Sequence, residues 1–261
     1  ECTAVFANGT TVTLTAAPDP GSQLVAWAGD CASMTVTDTC VQVMTSDKSV
    51  TAIFESIVAN DDFENAEALA DLPFGTVVST VGASRQTGEP VSTCGTIGQS
   101  IWYSYTPSVT GAIEIDLADS TFDTMVAVWT GDSLATLTEV GCNDDAPAAL
   151  QSYLLTDTLT AGTTYYIQVG GYGGKSGQVD IDVSIANAYL DVGVGGDGSG
   201  SVSASAGGGP CTVDCTLVVE SGTVVSLTAA AATGSAFDGW SGECSGTSTT
   251  CTVTVIGTVA V

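Results

Sequence analysis

The chain has 261 residues, 29 of them Asp or Glu, against three basic side chains, Lys48, Arg85 and Lys175, and it has no histidine. A formal net charge of −26 repels phosphate backbones and anionic lipid heads, which disfavours nucleic acid and membrane surfaces as partners. The lack of imidazole removes Ser-His-Asp and Cys-His nucleophiles and most catalytic zinc sites, and no apolar run approaches the ~18 residues of a membrane span.

Residues 9–31, GTTVTLTAAPDPGSQLVAWAGDC, recur as residues 222–244, GTVVSLTAAAATGSAFDGWSGEC. One offset of 213 places Cys2 on Cys215, Gly9 on Gly222, Leu14 on Leu227, Gly21 on Gly234, Trp27 on Trp240 and Cys31 on Cys244. Two copies of a module therefore bracket a different centre, and the chain reads as three domains: 1–57, 58–187 and 188–261. Hydrophobic content of 44% argues for folded domains. Nine cysteines in a Ser/Thr/Gly-rich β-type sequence read as disulfides formed in an oxidising compartment.

In the first module Thr11–Thr15 and Ser49–Phe54 alternate as strands, with a Pro18-Asp19-Pro20-Gly21 turn between them. Trp27 is expected in a small core, and Trp240 at the repeated position likewise. Cys31 and Cys40 flank a polar loop and form the expected pair. Cys2 has no partner inside the module. Asn8-Gly9-Thr10 is a glycosylation sequon.

The centre opens with Asn60-Asp61-Asp62-Phe63 and a helix-like patch from Glu64 to Leu69. Strands follow at Ser100–Tyr105, Ala112–Leu117, Thr124–Trp129, Thr163–Val169 and Gln178–Ile185, separated by turn signals. That pattern reads as a β-sandwich, with Trp102 and Trp129 in its core. Gly170–Gly174 reads as a loop that exposes Tyr172 as a contact for a ligand or a neighbouring subunit. Two acid-rich turns, Asn60-Asp61-Asp62 and Asn143-Asp144-Asp145, offer oxygens of the kind calcium takes six to eight of. Asx residues also start turns by bonding their own backbone, with no metal.

In the third module Cys211 and Cys215 are close enough for a local bridge, and Cys244 and Cys251 repeat the pairing of Cys31 and Cys40. The first module has no counterpart of residues 188–213, and the third none of Thr51–Phe54. The expectation is that the polypeptide continues in both directions or that neighbouring subunits supply those strands. Cys2 is correspondingly bridged to an upstream cysteine or paired between subunits.

The GT-x-V-x-LTA run, the GS-x4-W-x-G-x-C run and the closing strand from Cys251 resemble the divergent internalin-type B repeats of bacterial surface proteins. The resemblance implies small tandem β modules used as spacers or adhesive elements, with no catalytic residues. In the centre, NDDF at Asn60, SIWYSY at Ser100, STFDTMVAVW at Ser120, CNDD at Cys142 and GTTYYIQVGGY at Gly162 resemble the bacterial pre-peptidase C-terminal domain. That likeness implies a jelly-roll-like sandwich serving as a non-catalytic binding or solubilising module, with Cys94 paired to Cys142. Its calcium-binding members put Asn60 and Asp61 foremost as ligands and add Asp123.

The fold expected is all-β, a central sandwich between two disulfide-stapled modules, the first truncated. The function expected is a non-enzymatic extracellular element: a segment of a bacterial surface stalk or the subunit of a filament assembled head-to-tail. Host, matrix or glycan surfaces are further partners, and the alternatives are the appendage of a secreted peptidase or a carbohydrate-binding module. A glycosidase needs only two acids across a cleft, but small β modules leave little room for one.

Overall fold

The computed structural model describes residues 2–19, 22–32 and 39–261; the expected turn at 18–21 and the loop between Cys31 and Cys40 fall partly outside them. The described chain is all-β, with two short 3-10 turns. Strands β1 (Thr11–Thr15), β2 (Ser22–Gly29), β3 (Thr39–Val43) and β4 (Val50–Ser56) form two antiparallel pairs, β1 with β3 and β2 with β4. Their small core is Ala16, Trp27, Cys31 and Cys40.

The centre follows with β5 (Glu67–Leu69), β6 (Phe74–Ser79), β7 (Ile97–Tyr105), β8 (Ile113–Asp116), β9 (Thr124–Thr130), β10 (Thr138–Asn143), β11 (Tyr153–Leu155), β12 (Tyr165–Tyr172) and β13 (Gln178–Ile185). A five-stranded sheet, β10-β9-β12-β7-β5, packs on a four-stranded one, β11-β8-β13-β6. Alternation decides the interface: Ile101, Val126, Val128, Ile167 and Val169 meet Ile113, Ile115, Leu117, Val179, Ile181 and Val183. The opposite face of the larger sheet is also covered, with Trp102, Met125, Ala127 and Trp129 buried beneath Phe63. Burial on both faces explains why Thr124–Trp129 is a continuous apolar run.

The helix-like patch at Glu64–Leu69 is corrected. Phe63–Asn65 is a single 3-10 turn, and Glu67–Leu69 adds a parallel edge strand to β7. Phe63 sets this path by packing edge-on against Trp102 at 5.4 Å and against Tyr166 at 4.4 Å. The loop expected at Gly170–Gly174 is also corrected, because β12 runs through Tyr172. Gly170 lies where a Cβ would stand 2.6 Å from Ile97 Cγ2 and 2.7 Å from Gly98 O, so the close approach of β7 demands glycine.

The last part holds β14 (Asn187–Val192), β15 (Gly200–Ala204), β16 (Cys215–Glu220), β17 (Thr223–Ala231), β18 (Thr250–Val255) and β19 (Thr258–Ala260), in two three-stranded sheets. Ala188, Leu190, Val192, Leu217 and Val219 pack against Val202, Val225, Leu227, Val253 and Val255. The duplication is visible in the register: Leu14 faces Cys40 on the neighbouring strand, and Leu227 faces Cys251. The copies differ in cover. Leu227 is 0% exposed beneath β14 and β16, while Leu14 is 38% exposed, and residues 2–7, the counterpart of β16, form no strand over it.

Four disulfides pair Cys31 with Cys40, Cys94 with Cys142, Cys211 with Cys215 and Cys244 with Cys251, at Cα–Cα distances of 6.2, 6.0, 5.9 and 6.0 Å. Cys2 is an exposed free thiol among the described residues. The bridge across 48 residues constrains the unfolded chain most, by ~4 kcal/mol in the chain-entropy model, against ~2 kcal/mol for the four-residue one.

Only Ala186 separates β13 from β14, and the joint is closed by the Ser221-Gly222 turn. Ser221 N–H donates to Ala186 O at 2.7 Å, Ala186 N–H to Ala112 O at 2.9 Å, and Ala112 N–H to Ser221 Oγ at 3.0 Å. A Cβ on Gly111 would stand 2.6 Å from Ser221 O, and one on Gly222 (φ +90°) would meet Thr110 O and lie 2.8 Å from Val109 Cγ1. Gly9, its repeat, has φ +85° and nothing within 4 Å. Gly9→Ala is therefore expected to cost ~1 kcal/mol from left-handed backbone strain alone. Gly222→Ala adds ~1–3 kcal/mol of overpacking, and urea denaturation of the two variants measures the difference.

Candidate functional site

The two acid-rich turns are not brought together. Asn60 is buried, its Nδ2 donating to Trp102 O at 3.0 Å, and the Asp61 carboxylate accepts Ser84 N–H at 2.6 Å. Asp62 precedes the 3-10 turn and makes no side-chain capping bond. This cluster lies beside Trp102, five residues along β7 from Ile97, which pairs with Tyr172 next to Asp123. That span is about 17 Å of strand. Asn60 and Asp61 thus serve as backbone ties.

Asp123, Asp144 and Asp145 do converge, with a carboxylate oxygen of each within 4.8 Å of the others. Strand pairing produces this. Asp123 immediately precedes β9, Asp144 and Asp145 immediately follow β10, and the antiparallel register sets Asn143 opposite Val126. Asn143 is occupied, its Oδ1 accepting Tyr153 N–H at 3.0 Å and its Nδ2 donating to Asp145 O at 3.2 Å. Asp144 Oδ1 is buried and takes no hydrogen bond among the described residues. Burial pushes the Asp144 carboxyl above its ordinary range, the charges of Asp145 and Asp123 add to this, and Lys175 opposes it. Lys175 Nζ lies 2.6 Å from Asp123 Oδ2. Tyr172, 47% exposed, ends β12 beside the group and donates its N–H to Asp123 O at 3.1 Å. The arrangement is a surface anion cluster able to hold a hard cation, with one lysine already present.

Trp27, Trp102 and Trp129 are core residues, 7%, 0% and 3% exposed. Trp240 packs against the core of its module as expected but is only half-buried, its indole N–H donating to Ser248 O at 2.8 Å. Asn8 of the sequon is exposed.

One functional-looking group has no signal in the sequence. Glu89 is 5% exposed, and its carboxylate accepts Ser100 Oγ at 2.8 and 2.9 Å, Gln168 Nε2 at 2.9 Å, Gln86 N–H at 2.9 Å and Trp102 Nε1 at 3.4 Å. Arg85 Nε lies 3.9 Å away, and Gln168 Oε1 accepts Trp129 Nε1 at 3.1 Å. These donors come from three separate stretches, which is why no local motif announces them. Every bond runs inward, so the knot fastens the loop before β7 onto the larger sheet and presents nothing to a substrate. Burial pushes the Glu89 carboxyl upward, against the pull of its donors. A raised folded-state value means the folded chain holds the proton longer, so this group's contribution to stability falls as pH rises through the window above the ordinary 4.5. The melting-temperature difference between Glu89→Gln and the parent chain is expected to move in favour of Gln from pH 4 to pH 7. Glu89→Ala strands several donors and is expected to cost ~3 kcal/mol at neutral pH, read by urea denaturation.

No curated protein matches the chain. A family model described as the divergent InlB B-repeat domain matches residues 1–58 and 196–261. Both flanking stretches are therefore similar to that repeat domain, in agreement with the register shared by the β1/β3 and β17/β18 pairs.

Proposed function

We propose that this is a non-catalytic, load-bearing segment of an extracellular bacterial surface protein, in which a sandwich of the pre-peptidase C-terminal type stands between B-repeat modules. The joint at Ser221-Gly222 carries this reading. It passes strand β13 into β14 through one buried residue, and it ties the turn of the repeat module to the sandwich by one direct hydrogen bond and two that run through Ala186. Tension along the chain then loads sheets in shear and does not open a hinge. The four disulfides support an oxidising, exported setting. Head-to-tail self-association is the assembly we assign to it, since heterologous contacts propagate into fibres.

Two measurements test this. Electron microscopy of concentrated protein is expected to show fibres with a one-subunit repeat, and monomers under every solution condition overturn the assembly. In force spectroscopy, the 48 residues enclosed by Cys94–Cys142 stay hidden until reduction, which releases roughly 17 nm of extra contour length.

We further propose that Asp123, Asp144 and Asp145 hold calcium, with Lys175 moving aside. The unpartnered Asp144 oxygen supports this, and three carboxylates supply part of the oxygen shell the ion takes. Millimolar calcium is expected to raise the melting temperature of the parent chain and leave Asp144→Asn unchanged; an equal rise in both removes this site.

A further inference from the structure

Each sheet of the sandwich ends in two edge strands, and three of these four edges are blunted. β5 and β11 are three residues long, and β10 is broken by a register shift between Glu139 and Gly141. β6 is the exception. Its six residues pair with β13 without a break and include no proline. They lie in a stretch, Leu72 to Ser84, that has no charged side chain. An edge of that length with neither charge nor bulge is a template for another strand.

The register fixes which peptide groups are open. Thr80 N–H donates to Gly177 O at 2.9 Å, one step beyond the β6/β13 ladder. On the far side of β13, Ala186 N–H donates to Ala112 O at 2.9 Å, one step beyond the β13/β8 ladder. Both place the even-numbered residues of β6 in the bonds to β13, so the peptide groups of Gly75, Val77 and Ser79 point away from the sheet. No described group outside the ladder bonds them. Their side chains share the solvent face, where Val77 is 58% exposed.

Charge selects the occupant. Across the ladder Asp182 stands opposite Gly75, and Asp180 opposite Val77. A Cβ on Gly75 would meet Asp182 Oδ1, so this carboxylate fills the space of the missing side chain, next to the open edge. Asp116 and Asp119 line the same depression as Asp180 and Asp182. A second copy does not answer these acids, because its three basic side chains are already paired at home. We infer that β6 accepts an extended segment of a different protein, one that carries Lys or Arg at alternate positions on its solvent side. Main-chain bonds to Gly75, Val77 and Ser79 hold the segment. The cation opposite Gly75 crosses one strand spacing, about 4.8 Å, over the glycine to reach Asp182. The edge is internal to the sandwich and independent of the head-to-tail assembly.

The probe is the peptide Thr-Lys-Val-Lys-Val-Lys-Thr, added to the 261-residue chain at physiological salt, where distant charges are screened. Saturable binding is expected, with the amides of Gly75, Val77 and Ser79 exchanging hydrogen at least ~10-fold more slowly. Methylating the three lysine amide nitrogens keeps every charge but removes the donors that face β6, so binding is expected to weaken at least ~10-fold. Replacing the lysines by glutamates is expected to weaken it as much, and Asp182→Asn to narrow that Lys-over-Glu preference at least ~3-fold. Val77→Pro deletes an amide that β13 does not use and is expected to abolish binding. Equal binding of the methylated peptide reveals attraction to net charge alone and overturns the inference. No saturation, equal binding of the glutamate peptide, protection elsewhere than 75–79, or an unchanged preference in Asp182→Asn overturns it as well. The peptide comparisons need no change to the protein, so they stand whether or not a variant folds.

Discussion

The arrangement of the second half of the molecule depends on the Ser221-Gly222 turn seated against Thr110-Gly111-Ala112. Small residues make the seat possible: glycine on both sides allows backbone to touch backbone, and Ser221 supplies the one hydroxyl that the half-buried Ala112 amide needs. Ala186 is 1% exposed between the two cores, so there is no solvated linker to bend. Interdomain contacts are ordinarily polar and mobile. Here the contact runs through two main-chain hydrogen bonds at Ala186 and one from the Ala112 amide to the Ser221 hydroxyl, and Ala186 alone separates β14 from β13.

The larger sheet of the sandwich is covered twice. One face meets the second sheet, and the other lies beneath Phe63 and the loop that carries Glu89 and Cys94. That loop is fixed by unlike devices. The Cys94–Cys142 bridge limits how far it strays in the unfolded chain, while the Glu89 carboxylate gathers donors that only the folded sheet brings together. A buried carboxylate is costly to desolvate, and the converging donors offset that cost through charge-assisted bonds.

Strands with strict alternation were legible residue by residue. Gln178–Ile185 appears with those bounds, and the duplicated runs at Leu14 and Leu227 fall in the same register. Local propensity misled where tertiary packing decides. Glu64–Leu69 favours helix by composition, but Phe63 docking on Trp102 and pairing with β7 hold it extended. Acid-rich turns were visible as sequence, whereas which acids meet depends on the pairing of β9 with β10, so Asp123 joins Asp144 and Asn60 does not. Trp240 joins its module's core as Trp27 does but is less covered, because position in a repeat gives the same residue but not the same neighbours.

All three basic side chains are already engaged at home, Lys48 with Asp30, Arg85 with Glu89 and Lys175 with Asp123. No free cation on the described surface can bridge to the acids of another molecule. Two such bodies, each with a formal net charge of −26, repel one another as they approach. Dissolved salt therefore governs how closely these molecules crowd, because its ions screen that repulsion beyond about 8 Å at physiological strength.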